Sequence, residues 1–223
     1  VMELSATVLG CAGPRLSVDE AAFFRDAAPW GFILFARNVE TPDQLRRLTG
    51  ELRATVGRDA PILVDQEGGR VQRLRAPHWR EYLPPLDQVT RTAGPEMERG
   101  IHLRYRLIAE ELRAVGIDVD CAPSADIALP ETHPFLRNRC FGEDADTVIR
   151  AARAAAEGLM AGGVLPVMKH MPGHGRATLD SHHELPRATA PLDLLEASDF
   201  KVFRALSDLP MAMTAHIVFD ALD

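Results

Sequence analysis

Cysteine is scarce. The 223 residues hold three, Cys11, Cys121 and Cys140, widely spaced and without a CxxC pair. They read as free thiols in a reducing compartment, most simply the cytoplasm, rather than as a disulfide framework. Positive charge is also short: 25 Lys and Arg stand against 32 Asp and Glu, a net charge of −7. A general nucleic-acid binder would need a basic face, so that class is set aside. No apolar run approaches the ~18 residues of a membrane span. The N-terminus has neither the basic start nor the long apolar core of a signal peptide. There is no GxGxxG or Walker A pattern after an early strand, and no internal repeat.

Against these absences stands a regular alternation. Apolar runs at 5–10, 31–35, 61–64, 117–123, 164–168 and 210–216 predict six strands. Amphipathic helices are expected between them. Ser17-Val18-Asp19-Glu20 is a capping-box pattern, predicting a helix from Val18 to Ala28. Thr41-Pro42 supplies an N-cap and a first-position proline for a helix whose apolar stripe is Leu45, Leu48, Leu52 and Val56. Leu103, Leu107, Ile108, Leu112 and Val115 mark a further helix, closed by Gly116. An Ala-rich helix runs from Asp144 to Ala161, and Leu192, Leu195, Phe203 and Leu206 mark another.

Strands alternating with helices imply a parallel sheet, and strands that are apolar throughout imply that both faces are covered. The long, chemically rich loops at 65–95, 124–142 and 171–190 all follow the C-terminal ends of strands. That asymmetry is the pattern of a (β/α)8 barrel of the TIM type, with its active site on the C-terminal face. The rival is a doubly wound open sheet, which usually carries the glycine-rich fingerprint missing here.

The richest stretch is Lys169-His170-Met171-Pro172-Gly173-His174-Gly175-Arg176-Ala177-Thr178-Leu179-Asp180-Ser181-His182-His183-Glu184-Leu185-Pro186. It holds four of the eight histidines. Asp180, two residues before His182, can hold one imidazole nitrogen and leave the other free for proton transfer near neutral pH. His183 is read as a solvated neighbour. His170, His174, Asp180 and His182 could instead be metal ligands. Against that, HExxH is lacking and Lys169 adds a competing charge, so no metal and no cofactor are expected.

After the third strand, Gly68-Gly69 allows a tight turn that would bring Asp65 and Arg73 over the barrel mouth. Arg139 follows the fourth strand, and Lys169 and His170 follow the fifth. Together these five predict a ring of groups suited to a neutral polyhydroxylated ligand such as a sugar. Glu67 is expected to stabilise the turn or brace an arginine. Trp30 and Trp79 are read as packing residues.

The long histidine-rich stretch resembles the KHFPGHG…DSH signature of bacterial β-N-acetylhexosaminidases of glycoside hydrolase family 3. Asp65-Gln66-Glu67-Gly68-Gly69-Arg70-Val71-Gln72-Arg73 matches a second motif of that family, and Arg139-Cys140-Phe141-Gly142 resembles a third. Met171 stands where the signature usually has phenylalanine. The resemblance implies a retaining glycosidase of peptidoglycan recycling that removes non-reducing terminal N-acetylglucosamine from muropeptide-type saccharides. It gives His182 the acid/base role with Asp180 as partner, and it makes Asp65, Arg73, Arg139, Lys169 and His170 sugar-binding residues.

The family's nucleophile is an aspartate in a later serine–aspartate–aspartate motif, which does not occur in these residues. Residues 1–223 are therefore expected to form one barrel domain with about six of its eight strands, truncated at the C-terminus and inactive alone. The implied partner is a small saccharide, with neither nucleic acid nor membrane. A metal-dependent hydrolase using the histidine cluster, a non-catalytic sugar-binding relative and a phosphorolytic variant remain as alternatives.

Overall fold

A computed structural model describes residues 4–92, 94–177 and 185–222. Strand β1 (Ser5–Leu9) leads into helix α1 (Val18–Ala27), then β2 (Pro29–Leu34), α2 (Pro42–Val56) and β3 (Ile62–Val64). A small hairpin, β4 (Gln66–Gly68) and β5 (Val71–Gln72), precedes helices α3 (Pro85–Arg91) and α4 (Pro95–Arg113). Then come β6 (Val119–Asp120), α5 (Pro134–Arg137), α6 (Ala145–Ala161) and β7 (Leu165–Met171). The last elements are β8 (Arg187–Ala188), α7 (Leu192–Ala197), α8 (Asp199–Ala205), β9 (Met211–Thr214) and β10 (Val218–Phe219).

Six strands form one curved parallel sheet in the order β1-β2-β3-β6-β7-β9, which is also chain order. A sheet that adds each new strand beside the last, with a helix in every crossover, is the growth pattern of a TIM barrel. The strands are double-sided, as their composition requires. Phe32, Leu34, Ile62 and Val64 pack with Leu45, Leu48 and Leu52 of α2 and Ile101, Tyr105, Ile108 and Leu112 of α4. On the other face Leu63, Val119, Cys121 and Val167 meet Trp30, Ile33, Met211 and Met213. Trp30 and Trp79 both pack against apolar clusters.

Local signals place the helix ends. Ser17 forms the full capping box with Glu20, and Thr41 accepts the Gln44 N–H ahead of Pro42. Asp144 caps α6 by accepting the Thr147 N–H.

Several expectations shift. Helix α4 turns Ile101, Tyr105, Ile108 and Leu112 inward, at i, i+4, i+7 and i+11, and leaves Leu103 (48% exposed) and Leu107 (41% exposed) on its outer face. Those two leucines lie on the opposite side of the 3.6-residue turn from the buried stripe. The expected helix around Leu192–Leu206 is two short ones, broken at Ser198. The fourth strand pairs as a ladder only at Val119–Asp120. The chain nevertheless stays extended, with Cys121 N–H on the Val64 carbonyl and Val167 N–H on the Ala122 carbonyl. The fifth strand runs on to Met171, so Lys169 and His170 belong to the strand and not to the loop after it.

Candidate active site

The C-terminal ends of these strands converge on a cavity of about 490 Å3. Its wall includes all five residues expected to contact a sugar: Asp65, Arg73, Arg139, Lys169 and His170. Each reaches it from a different turn of chain. Asp65 follows β3 directly, and Gly68 (φ +97°) and Gly69 (φ +58°) fold the hairpin back so that Arg73 returns to it. A side chain would be strained at both positions. Arg73 Nη2 then donates to Asp65 Oδ2 at 2.9 Å.

Lys169 lies at the floor, with Glu67 buried behind it. Lys169 Nζ lies 2.8 Å from Asp65 Oδ1 and 2.6 Å from Glu67 Oε1. Arg139 grips Glu67 with two parallel bonds, Nε to Oε2 at 2.9 Å and Nη2 to Oε1 at 2.8 Å. All three side chains are buried: Lys169 is 2% exposed, Glu67 1% and Arg139 7%. Glu67 does brace an arginine, and it also holds the lysine. Arg104 and Tyr105 of α4 fix its backbone, both donating to the Glu67 carbonyl.

Buried charges persist only when paired, and here the pairing is complete enough to reverse the cost of burial. Burial by itself would push the Glu67 carboxyl up, but the Lys169 and Arg139 charges bring it down to about 2. Burial likewise opposes ionisation of Asp65, and the Lys169 ammonium overrides it, holding the carboxyl below its ordinary value. The Lys169 ammonium is raised by the same two carboxylates despite desolvation.

His170 is held from a side the sequence did not announce. Asp126, in the loop after β6, lies 2.7 Å from His170 Nδ1 and accepts the His174 N–H at 2.6 Å. Ser124 Oγ donates to the same carboxylate at 3.1 Å. Burial would raise Asp126, but contact with His170 and the His174 N–H brings it down to about 2. With Nδ1 so engaged, Nε2 is the ring nitrogen left to act on a ligand.

The loop that leaves β7 is anchored at its root. Arg176 Nε donates to Asp199 at 2.7 Å and its Nη2 to Ser198 Oγ at 3.0 Å. A Cβ on Gly175 would lie 2.1 Å from the Ile127 carbonyl oxygen, so the loop passes against the fourth-strand loop at a distance only glycine permits. Asp180 and His182, the expected acid/base pair, lie outside the described residues, as do His183 and Glu184. Among the described residues there is no cluster of three or more His, Cys, Asp or Glu side chains that could hold a metal ion.

The signal for Asp126 was a polar residue placed just after a strand, the position barrel chemistry favours. Arg70, which donates to the Phe135 carbonyl at 2.5 Å and sits over that ring, and His216 after β9 also line the cavity. A polar-walled cavity with fixed donors and acceptors, backed by paired charges, can read hydroxyl and amide groups.

The model for the glycosyl hydrolase family 3 N terminal domain matches residues 8–223. The chain belongs to glycoside hydrolase family 3. Curated relatives in this family include a beta-hexosaminidase of Alkalilimnicola ehrlichii, 37% identical over all of this chain and 64% of the relative. A beta-hexosaminidase of Methylococcus capsulatus is 40% identical over 95% of this chain and 63% of its own length. The chain thus spans about 64% of such relatives. A solved structure of NagZ from Neisseria gonorrhoeae in complex with N-trifluoroacetyl-D-glucosamine matches 99% of this chain and 66% of its own, with a TM-score of 0.91 at 33% identity. The family's fold is of the TIM-barrel type, and the six-stranded curved sheet is its counterpart here.

Proposed function

We propose that these residues form the sugar-binding part of a retaining β-N-acetylhexosaminidase that removes non-reducing terminal β-linked N-acetylglucosamine from muropeptide-type saccharides in peptidoglycan recycling. The observation that carries this is the convergence of Asp65, Arg73, Arg139, Lys169 and His170 on one cavity at the strand C-termini, in a member of this family. The N-acetylglucosamine derivative bound by the gonococcal relative supports the same ligand class. Three buried free cysteines fit a cytoplasmic setting.

In this reading Asp65 and Arg73 accept from and donate to ring hydroxyls, while Lys169 and Arg139 hold the polar face of the sugar. His170 donates or accepts through Nε2. His182, oriented by Asp180, protonates the glycosidic oxygen as the bond breaks and then takes a proton from the incoming water. A retaining mechanism also needs a nucleophile on the opposite side of the anomeric carbon. Among the described residues Asp65 is the one carboxylate lining the cavity, and it is committed to Lys169 and Arg73. We assign the nucleophile to an aspartate beyond residue 223 and expect the 223-residue polypeptide to be inactive without it.

The test is made on the whole gene product. NMR of the sugar released from an aryl β-N-acetylglucosaminide should show the β-anomer first; an α-anomer would refute retention. His182→Ala should slow substrates with poor leaving groups by about 10² to 10⁴ and activated aryl glycosides far less, since an activated leaving group needs little protonation. Equal small losses on both classes would remove His182 from the role.

A further inference from the structure

Asp120 is the last residue of β6 and is fully buried. Its Oδ1 accepts the Gln66 N–H at 2.9 Å. Gln66 lies between Asp65 and Glu67, the two carboxylates that hold Lys169. The Gln66 side chain continues the support: its Oε1 accepts the N–H groups of Arg73 at 2.9 Å and Leu74 at 3.0 Å, and its Nε2 donates to the Leu74 carbonyl at 2.9 Å. Asp120 is therefore the point from which the turn carrying Asp65, Glu67 and Arg73 is hung. Its other oxygen, Oδ2, is buried and has no hydrogen-bond partner among the described residues.

A buried oxygen without a donor costs an ionised carboxylate far more than it costs the neutral acid. Nor do the neighbours call for another anion. Asp65 and Glu67 already lie close by, and Lys169 is committed to both. We propose that Asp120 is a positioning residue that works as an uncharged carboxylic acid, fixing the Asp65–Glu67 turn through Oδ1 while leaving the Lys169 ammonium to Asp65 and Glu67. The proposal rests on the sugar-binding reading of the cavity for its consequence, but not for its chemistry.

The electrostatics agree. Desolvation by burial pushes the Asp120 carboxyl up to about 8, assisted by the charges on Asp65 and Glu67 and opposed by the Gln66 N–H and Lys169. The other titratable groups that face it are Cys121 beside it and Tyr105 of α4, and both are driven upward by burial, Cys121 to about 12. Lys169 is also raised. Asp120 is thus the facing group that changes charge near pH 8. When it ionises, a third carboxylate competes for Lys169, and the floor of the cavity loosens.

Two consequences separate this from a merely structural role. The unfolded chain releases the Asp120 proton above about pH 3.8, whereas the folded chain keeps it to about 8. Stability therefore falls between those values and is flat beyond them. Asparagine keeps the Oδ1 acceptor and cannot ionise. In the whole gene product, Asp120→Asn should melt at a higher temperature than the wild type near pH 8. That difference should shrink toward zero near pH 4.

The second consequence is for binding. Wild-type affinity for N-acetylglucosamine should drop about tenfold as pH rises through 8, the coupling that corresponds to a change of about one unit in the Asp120 pKa on binding. Asp120→Asn should hold its pH 7 affinity through that range, and Asp120→Ala should lose affinity throughout. A melting difference independent of pH, or an Asp120→Asn variant whose affinity is already lost at pH 7, would overturn the proposal. Absence of sugar binding by the wild type would instead sink the functional reading, leaving the melting comparison to decide on Asp120. If neither variant folds, the infrared spectrum of the wild type decides. A protonated carboxylic-acid carbonyl band at pH 6.5, lost on raising the pH through 8, is expected, and its absence at pH 6.5 contradicts the proposal.

Discussion

Glu67 accepts two bonds from Arg139 and a contact from Lys169, all inside 3 Å, while only 1% exposed. Glu67→Gln would leave two buried cations short of a counter-charge. Removing one partner of a buried ion pair costs about 3–5 kcal/mol, so the variant should lose that much in denaturant unfolding. A loss under about 1 kcal/mol would mean that the cluster is far better solvated than its burial indicates. The five cavity residues were legible because each lies at the C-terminal end of a strand or in the segment that follows one, where barrel chemistry collects. Asp120 and Asp126 were not. Asp118-Val119-Asp120 and Ser124-Ala125-Asp126 read locally as polar punctuation, and their partners Gln66 and His170 are 54 and 44 residues away. No local pattern encodes a pairing of that span.

Among the elements, β7 and its loop decide how the site is presented. The strand stays paired to β9 as far as Met171, which fixes Lys169 and His170 on a rigid backbone. The loop beyond is pinned by Arg176 and by the close approach at Gly175. Gly175→Ala would force a Cβ to 2.1 Å from a backbone oxygen, so one of the two loops must move. Overpacking of this kind costs about 1–3 kcal/mol and should also impair turnover by the whole gene product, because Asp180 and His182 follow Gly175 closely in sequence. An unchanged melting temperature and rate would show that the loops part freely. At this scale the sequence located every strand of the main sheet but placed α4's face wrongly. Leu103 and Leu107 were counted into a stripe whose phase is set by Ile101, Tyr105, Ile108 and Leu112, and apolar residues on both sides of a helix leave that phase ambiguous. The short pairs β4–β5 and β8–β10 have no periodicity to betray them.

Over the whole molecule, the parallel sheet in chain order delivers one face of strand ends, and the ion pairs of Asp65, Glu67, Arg73, Asp126, Arg139, Lys169 and His170 gather there. Their titration sets the acid limit of the fold. Glu67 is held down to about 2 by Lys169 and Arg139 against burial, and Asp126 to about 2 by His170 and the His174 N–H. Each carboxyl therefore contributes stability that is complete above its ordinary value, near 4.5 and 3.8, and is lost as pH falls toward about 2. The melting temperature should fall steeply across that window. Glu67→Gln should flatten the fall, and an equal slope in the variant would assign acid sensitivity elsewhere.

The central claim, that the cavity at the strand ends binds N-acetylglucosamine through these residues, is tested most directly by calorimetric titration of that sugar into the whole gene product and its Arg73→Ala variant. Arg73 is the ring member best suited to the comparison, with 27% of its side chain exposed and a single carboxylate partner, Asp65, among the described residues. One sugar per chain should bind the wild type. The variant, still folded, should bind about tenfold or more weakly, the loss of a charge-assisted hydrogen bond of about 1.5–3 kcal/mol. Equal affinity in the two proteins, or no binding to the wild type, would contradict the account.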